Sequence, residues 1–404
     1  MTPSPPSAAA LDGVVVLDLT TRFWGSMAAA LLADFGARVI LIEEPCRPSP
    51  PAELPAAGAR WDYVHDLVHR NKKSCVVNRA TERGRTVVRE LAARVDVVVT
   101  DCPEADLAAV GLDYASVAAA RSDVVYAVGS GLGPKGPDRD LPALDELAAA
   151  RTGMMPLLPQ PGQPPVYAGH GQMYTAVMLA YAVVVALFHR KRTGEGQRVD
   201  ASLLGGNMYG ASLDLQAYLA IGEDRLLAPV ARLDAGNPMS GVLYPSADGL
   251  WIALTMPDTD RWWPLLAEVT GLDPADPRFA THDLRCGAHR LELIAALDDA
   301  FRRRPATEWR AAFTERQMSA DVIEDYRYPA EDPSARDNRY VLDLEDASLG
   351  RLRMLGFPIF MTDTPARLRA TAPRRGQHTA EVVRELLGYP ERAITEMERE
   401  GVLA

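Results

Sequence analysis

Reactive side chains in an α/β chain gather where apolar strands end, and two such places stand out here. The run VVVLDL (14–19) ends in Thr20, Thr21, Arg22, Phe23, Trp24 and Gly25. Arg22 offers a planar guanidinium for a phosphate or carboxylate, and Trp24 a flat ring that can pack against a ligand. The run DVVVTD (96–101) leads into Cys102, Pro103 and Glu104. A thiol nucleophile at Cys102 is one reading, and a buried inert cysteine is the plainer one. The acids Asp101 and Glu104 would repel a phosphate placed between them.

Several familiar site motifs are missing. No GxGxxG follows the first strand, and no GxxxxGK[ST], GxSxG or HExxH occurs. Dinucleotide, P-loop and simple hydrolase readings lose their support accordingly. Cys46, Cys75, Cys102 and Cys286 form no CxxC pair and have no histidine at zinc-ligand spacing, so no metal is expected.

The elements that must hold these residues follow from periodicity. VVVLDL and ARVILIEEP (37–45) read as strands buried on both faces, joined by a polar-aromatic turn TTRFWGS and a helix MAAALLADFG closed by Gly36. The alternation continues with a helix at 81–95, a strand at 96–101, a helix at 112–121 and a strand at 123–131. Four strands separated by helices require a parallel sheet with right-handed crossovers. Ligand contacts then belong at 20–25, 43–46, 100–104 and 129–133. The sixteen-residue apolar run Met173–Phe188 is shorter than the ~20 residues of a membrane span and reads as a buried helix. The basic end His189–Arg192 suits a helix carboxyl terminus. TGEGQRVDASLLGG turns into a strand or a helix start. Further on come a hairpin (VLYP, then LWIALT) and helices at 260–270, 289–303 and 306–316. LGRLRMLGFPIF (349–360) returns as strands, followed by a helix at 378–388. The expected architecture is α/β: a large parallel-sheet domain from 1–228 and 346–404, with a smaller α+β domain at 229–345.

The 404 residues are 48% hydrophobic and 24% charged, enough for two domains with real cores. A net charge of −11 argues against nucleic acid or an anionic membrane as the main partner. The Pro/Ser/Ala-rich amino terminus reads as a loose arm without signal-peptide features, and the scarcity of cysteine fits a reducing cytoplasm.

Taken in order, LDLTTRFWGSMAAALLADFGARVILIEEP, NKKSCVVN, DVVVTD, VVYAVGSGLGPKGP, ALFHRKRTGEGQRVDASL and PRRGQHTAEV resemble the class III CoA-transferase family, across residues 11–390. That family includes formyl-CoA and carnitine-CoA transferases and α-methylacyl-CoA racemases. The resemblance implies a Rossmann-like large domain, a small domain, and two chains interlocked as a homodimer, or a pairing with a homologous subunit. It implies coenzyme A or acyl-CoA as substrate, with no covalently held cofactor. Thr21–Gly25 match the loop that touches the CoA chain, and Lys72 and Lys73 match a phosphate-binding place, with solvated lysines at a strand start as the bland alternative. Asp101 and Cys102 stand where the family has an Asn-Phe pair.

The family's transferases use an aspartate at the start of the helix before AL-x-x-R-x-x-TG-x-GQ, which forms an anhydride and then an aspartyl-CoA thioester. That position falls at Gln172, with Gly171 or His170 chosen by a slip of one or two residues, and no carboxylate lies between Pro156 and Glu195. The resemblance implies that the racemases pair a His and an Asp as bases; here Leu144, before Asp145, stands where the His is expected, and the Asp falls at the same position as the transferases' aspartate. The candidate catalytic residues are therefore Gln172, His170 and Asp145. For Asp145 the bland reading is a helix-start charge. Three functions follow: acyl transfer from a CoA or carrier thioester without an aspartyl intermediate, a non-catalytic subunit that completes a paralogue's site, or a racemase-like enzyme.

Overall fold

A computed structural model of the chain describes residues 9–45, 61–142, 144–346 and 350–404. The expected amino-terminal arm, to residue 8, and Cys46 lie outside the described residues. Two compact units are present. One comprises residues up to 155, 167–220 and 336–404, the other 156–166 and 221–335.

The first unit opens with β1 (Val15–Asp18), α1 (Phe23–Asp34), β2 (Arg38–Glu43), α2 (Tyr63–His69), β3 (Lys72–Val76), α3 (Glu82–Ala92) and β4 (Val97–Thr100). Next come α4 (Glu104–Ala108), α5 (Tyr114–Ala120), β5 (Val125–Ser130), α6 (Asp145–Ala149), α7 (Gly171–Thr193), β6 (Gln197–Ser202), α8 (Leu203–Gly210) and α9 (Ser212–Ile221). Six parallel strands form one sheet in the order β3-β2-β1-β4-β5-β6. This is the doubly wound Rossmann order, with its switch point between β1 and β4.

Alternation along each strand feeds two cores. Val16, Val39, Val97, Val99 and Ala127 face α1 and α7, where they meet Met27, Ala29, Leu179 and Val183. Leu17, Ile40, Val98 and Tyr126 face α3 and the carboxyl-terminal segment, through Val87, Leu91, Val382 and Met397.

Two expectations change. Helix α1 begins at Phe23, so the aromatic end of TTRFWGS is helical rather than a turn. Helix α7 runs for 23 residues, and among the described residues it is the one helix long and apolar enough to cross a membrane. It is half buried rather than buried. Thr175, Ala176, Leu179, Val183 and Ala186 pack inward, while Tyr181 is 70% and Phe188 62% exposed. Arg190 near its end pairs with Asp96 (3.1 Å), giving that basic run the structural use expected of it.

The second unit contains β7 (Ser240–Pro245), β8 (Trp251–Thr255), α10 (Thr259–Thr270), α11 (Arg290–Phe301), α12 (Ala306–Glu315), β9 (Ala320–Ile323) and α13 (Arg327–Glu331). Its strands form an antiparallel sheet in the order β7-β8-β9. Trp263, Phe301, Trp309 and Phe313 fill its core. The chain then passes through α14 (Pro333–Asp337) to β10 (Val341–Asp346) and β11 (Gly350–Leu355), an antiparallel pair separate from the large sheet. In the expected strand segment, Gly356–Phe360 lies outside any strand. The closing helices are α15 (Thr379–Val382), continued by a π-type turn, and α16 (Glu391–Arg399). Thr379 Oγ1 accepts from the Val76 amide (3.0 Å), tying α15 to the edge strand β3.

Arg70, fully buried, donates to Asp34 Oδ2 (2.8 Å) and to the Leu355 carbonyl (2.7 Å), joining α1 to the β11 end. Burial of a charge is tolerable only while it is paired. Arg70→Ala therefore lowers unfolding stability by about 3–5 kcal/mol. Removing Arg38, half-exposed and paired with Glu385, costs at most about 1 kcal/mol. Denaturant titration of the two variants tests the contrast.

Candidate active-site cleft

The chain leaves β1 through Leu19 and Thr20 and must turn sharply into α1. A buried network shapes this turn. Thr20 Oγ1 donates to Asp18 Oδ1 (2.6 Å) and accepts from Ser26 Oγ (2.7 Å). The Lys72 ammonium reaches across from β3 to Asp18 Oδ2 (2.7 Å) and the Ser26 carbonyl (2.8 Å). Lys72 is 2% exposed, and burial pushes its pKa down. It is neither a solvated lysine nor a surface phosphate ligand, because its charge is consumed inside the core. Lys73 points the other way, is part-exposed and pairs with Glu381.

Asp101 completes the turn from the neighbouring strand. Its Oδ1 accepts from the Thr21 amide (2.6 Å) and hydroxyl (2.9 Å), and its Oδ2 from the Arg22 amide (2.8 Å). A Rossmann fold holds a ligand phosphate at the amino end of the helix after β1. Here a protein carboxylate takes up amides at that place. Gly25 allows the approach, since a Cβ there would fall 2.6 Å from Asp101 Oδ2. Burial raises the Asp101 carboxyl to about 7, against the pull of its three donors. Cys102 lies beside it with its thiol donating to the Leu19 carbonyl (3.3 Å), and burial and then Asp101 push that thiol up to about 11. Such a thiol is protonated at neutral pH and is not a ready nucleophile. Phe23 is partly buried against the core.

A cleft of about 970 Å³ opens above this turn, along the carboxyl ends of β4, β5 and β6. Thr21, Arg22, Trp24, Asp101 and Cys102 all line it. Ser130, within the 129–133 strand end where ligand contacts are expected, lines it too, and so does Arg198, which sequence reasoning passed over although it lies in the distinctive RTGEGQRVD segment. Arg198 is engaged by Glu104 and Asp200, each at 3.0 Å.

The other candidates meet at the start of α7. Asp145, the first residue of α6, is 2% exposed. Its Oδ1 accepts from Asn207 Nδ2 (2.8 Å) and its Oδ2 from the Tyr167 hydroxyl (2.6 Å). It abuts Gly171, where an added Cβ would lie 2.0 Å from Asp145 Oδ1. Burial and then the bond to Asp145 raise the Tyr167 phenol, so it remains a donor at neutral pH. Gln172 follows, with Oε1 buried and no partner among the described residues. His170 is exposed, and α7 has no side-chain cap. The fold thus joins Asp145 to Gly171 and leaves His170 outside. Tyr167 and Asn207 carried no sequence signal, one in a proline-rich connection and the other in a glycine-rich helix start. No cluster of possible metal ligands occurs among the described residues.

The sheet order and the cleft at its switch point define a Rossmann-type α/β protein with a preformed cleft. A family model described as CoA-transferase family III matches residues 11–379, and the chain belongs to that family. It is a class III CoA-transferase-like protein. It is 28% identical over 398 residues to a cinnamoyl-CoA:phenyllactate CoA-transferase of Clostridium sporogenes, covering 96% of each chain. It is 29% identical over 412 residues to a succinyl-CoA–D-citramalate CoA-transferase of Chloroflexus aurantiacus, covering 97% of this chain and 98% of that one. A crystal structure of a CaiB/BaiF family protein from Brucella suis superposes with a TM-score of 0.80 at 26% identity, covering 94% of this chain and all of the other.

The Asp101 titration has a defined sign. Its folded value near 7 lies above the ~3.9 of an unfolded chain, so the native state holds the proton more tightly between those values. Stability contributed by this group is present at low pH and lost as pH rises toward and through 7. Relative to Asp101→Asn, the unsubstituted protein loses stability from pH 5 to pH 8, and thermal melts across that window check the slope.

Proposed function

We propose that this chain moves CoA from an acyl-CoA thioester to an organic acid acceptor by direct acyl transfer to that acceptor, without an aspartyl-CoA intermediate. The observation that carries the reading is Gln172 at the start of α7, with a carboxyl-bearing residue, Asp145, packed against neighbouring Gly171. An amide cannot form the anhydride that a carboxylate would. In the direct route the acceptor carboxylate attacks the thioester carbonyl and the C–S bond breaks, giving a mixed anhydride and the CoA thiolate; the thiolate then attacks the acceptor-side carbonyl, that C–O bond breaks, and the acceptor's CoA thioester and the donor's free carboxylate are the products. The Gln172 amide N–H and the positive end of α7 polarise the carbonyl, and Asp145, fixed by Tyr167 and Asn207, orients this end of the helix. The relatives' names, which pair a CoA thioester with phenyllactate or citramalate, support the substrate class. A cytoplasmic setting accords with the free thiols of Cys75, Cys102 and Cys286.

A second copy of the chain is part of the reading. Tyr181 and Phe188 on α7 and Leu213 on α9, the last 86% exposed, present apolar surface that a monomer rarely leaves to water. Helix α9 has no buried residue at all. Tyr181→Asp combined with Leu213→Asp converts a dimer to a monomer in analytical ultracentrifugation. A wild-type chain that sediments as a monomer ends the dimer reading.

Calorimetric titration with CoA and acetyl-CoA gives micromolar binding, about −8 kcal/mol. Asp145→Asn lowers turnover roughly 10²-fold or more in a panel of organic acid acceptors, with intact-mass spectra showing no CoA adduct on the unsubstituted protein. An adduct mapped to Asp145 would replace the direct route with a covalent one. No binding at millimolar ligand would remove the thioester reading.

A further inference from the structure

Helix α6 is built inside out. Its Asp145 is buried, together with Ala148 and Ala149. Leu144, at the cap, and Leu147, one turn on, are 53% and 58% exposed, and Leu141 just before them is half-exposed. A helix on a soluble domain ordinarily turns leucine to the core and acid to water. The inward acid has its reason in Tyr167 and Asn207, which donate to it. The outward leucines have no such reason within the fold. All three line the cleft, and Pro134 and Pro142 line it beside them. A cleft of about 970 Å³ is of a size that takes a small molecule and buries most of its surface.

The charges around the ridge decide what kind of group can lie on it. Asp140 precedes Leu141, and Glu146 stands between Leu144 and Leu147. The arginines of this segment are already engaged, Arg139 by Asp140 (3.1 Å) and Arg151 by Asp138 (2.6 Å). A group ending in a carboxylate would add an anion beside these acids and find its cations taken. An aliphatic or aromatic group would exchange water for leucine side chains and gain by doing so. The ridge also has a fixed relation to the start of α7, because the same short helix packs Asp145 against Gly171 and turns Leu144 and Leu147 to the cleft.

We infer that Leu141, Leu144 and Leu147 form the wall that receives the acyl side chain of the thioester, and that they select an apolar, uncharged group over a short acetyl or a dicarboxylic one. This rests on the thioester reading above and adds the substrate class. The carbonyl is served from the α7 end and the acyl side chain lies along the outer face of α6.

The unsubstituted protein, Leu144→Ala and Leu147→Ala are titrated calorimetrically with acetyl-CoA, isovaleryl-CoA and succinyl-CoA. Isovaleryl-CoA binds the unsubstituted protein about tenfold or more tighter than either of the others, from the added apolar carbons. Each substitution weakens isovaleryl-CoA about 3- to 10-fold more than it weakens acetyl-CoA. Both variants melt with the unsubstituted protein, since each removes a side chain that is more than half exposed. A marked fall in melting temperature places the leucine in the fold's own packing and overturns the inference. So does succinyl-CoA binding as tightly as isovaleryl-CoA, or an isovaleryl-to-acetyl ratio that both variants leave unchanged. An unchanged ratio with a slower-sedimenting species lost on substitution assigns the ridge to a second copy of the chain instead, which also overturns it. In each of these cases acetyl-CoA binding keeps the thioester reading intact. An unsubstituted protein that binds none of the three overturns both.

Discussion

The carboxylate of Asp101 ties the carboxyl end of β4 to the amides that lead into α1. A doubly wound sheet needs some such tie at its switch point. From β1 the chain passes to α1, packed with Val16 and Val97 on one face of the sheet. From β4 it passes to α4 and α5, whose Leu107 and Val117 belong to the other face. The two strands are neighbours, but their continuations diverge and leave a gap with open backbone donors. Asp101 closes the gap from one side, and the Lys72–Asp18 ion pair supports it from beneath. Gly25 is the geometric condition for both, because a side chain there would collide with Asp101 and Thr20.

This tie sets the character of the cleft. Amides that would otherwise face a ligand's phosphate already hold a protein carboxyl group, so the amino end of α1 has few donors left for a ligand. The guanidinium of Arg198, which might have compensated, is occupied by two acids. If the proposed ligand occupies this cleft, its recognition there leans on shape more than on charge, with Arg22 as the exposed cation nearest the turn.

How far this was legible in the sequence differs by element. Strands buried on both faces announce themselves as unbroken apolar runs, and VVVLDL, ARVILIEEP, DVVVTD and DVVYAVGSG all form as read. The two outer strands were harder. KKSCV begins with two lysines whose opposite fates, one in the core and one at the surface, depend on the alternation of the strand and on Asp18 being within reach. QRVDAS is only part-buried along its length, and so carries the mixed pattern of an edge strand. The bounds of helix α7, with the basic run at its carboxyl end, were legible to within two residues, but its burial was not. Its outward apolar face cannot be told from an inward one by composition, since periodicity gives the presence of a stripe and not what covers it.

The site at the start of α7 shows why position in a sequence and position in space must be kept apart. Along the chain, the absence of any carboxylate from Pro156 to Glu195 suggests a vacancy. In three dimensions Asp145, on a separate short helix, brings a carboxyl against Gly171, and only glycine leaves room for it. On the proposed reading, the environment of residue 172 includes the neighbouring Gly171, against which Asp145 and Asn207 pack, so an aspartate placed at 172 would join a helix start that already holds a carboxyl. Two close carboxyls disfavour each other's ionised forms. On that reading, the Asp145–Tyr167–Asn207 group acts as a unit, and Gln172→Asp alone does not supply the environment in which an aspartate would act as a nucleophile.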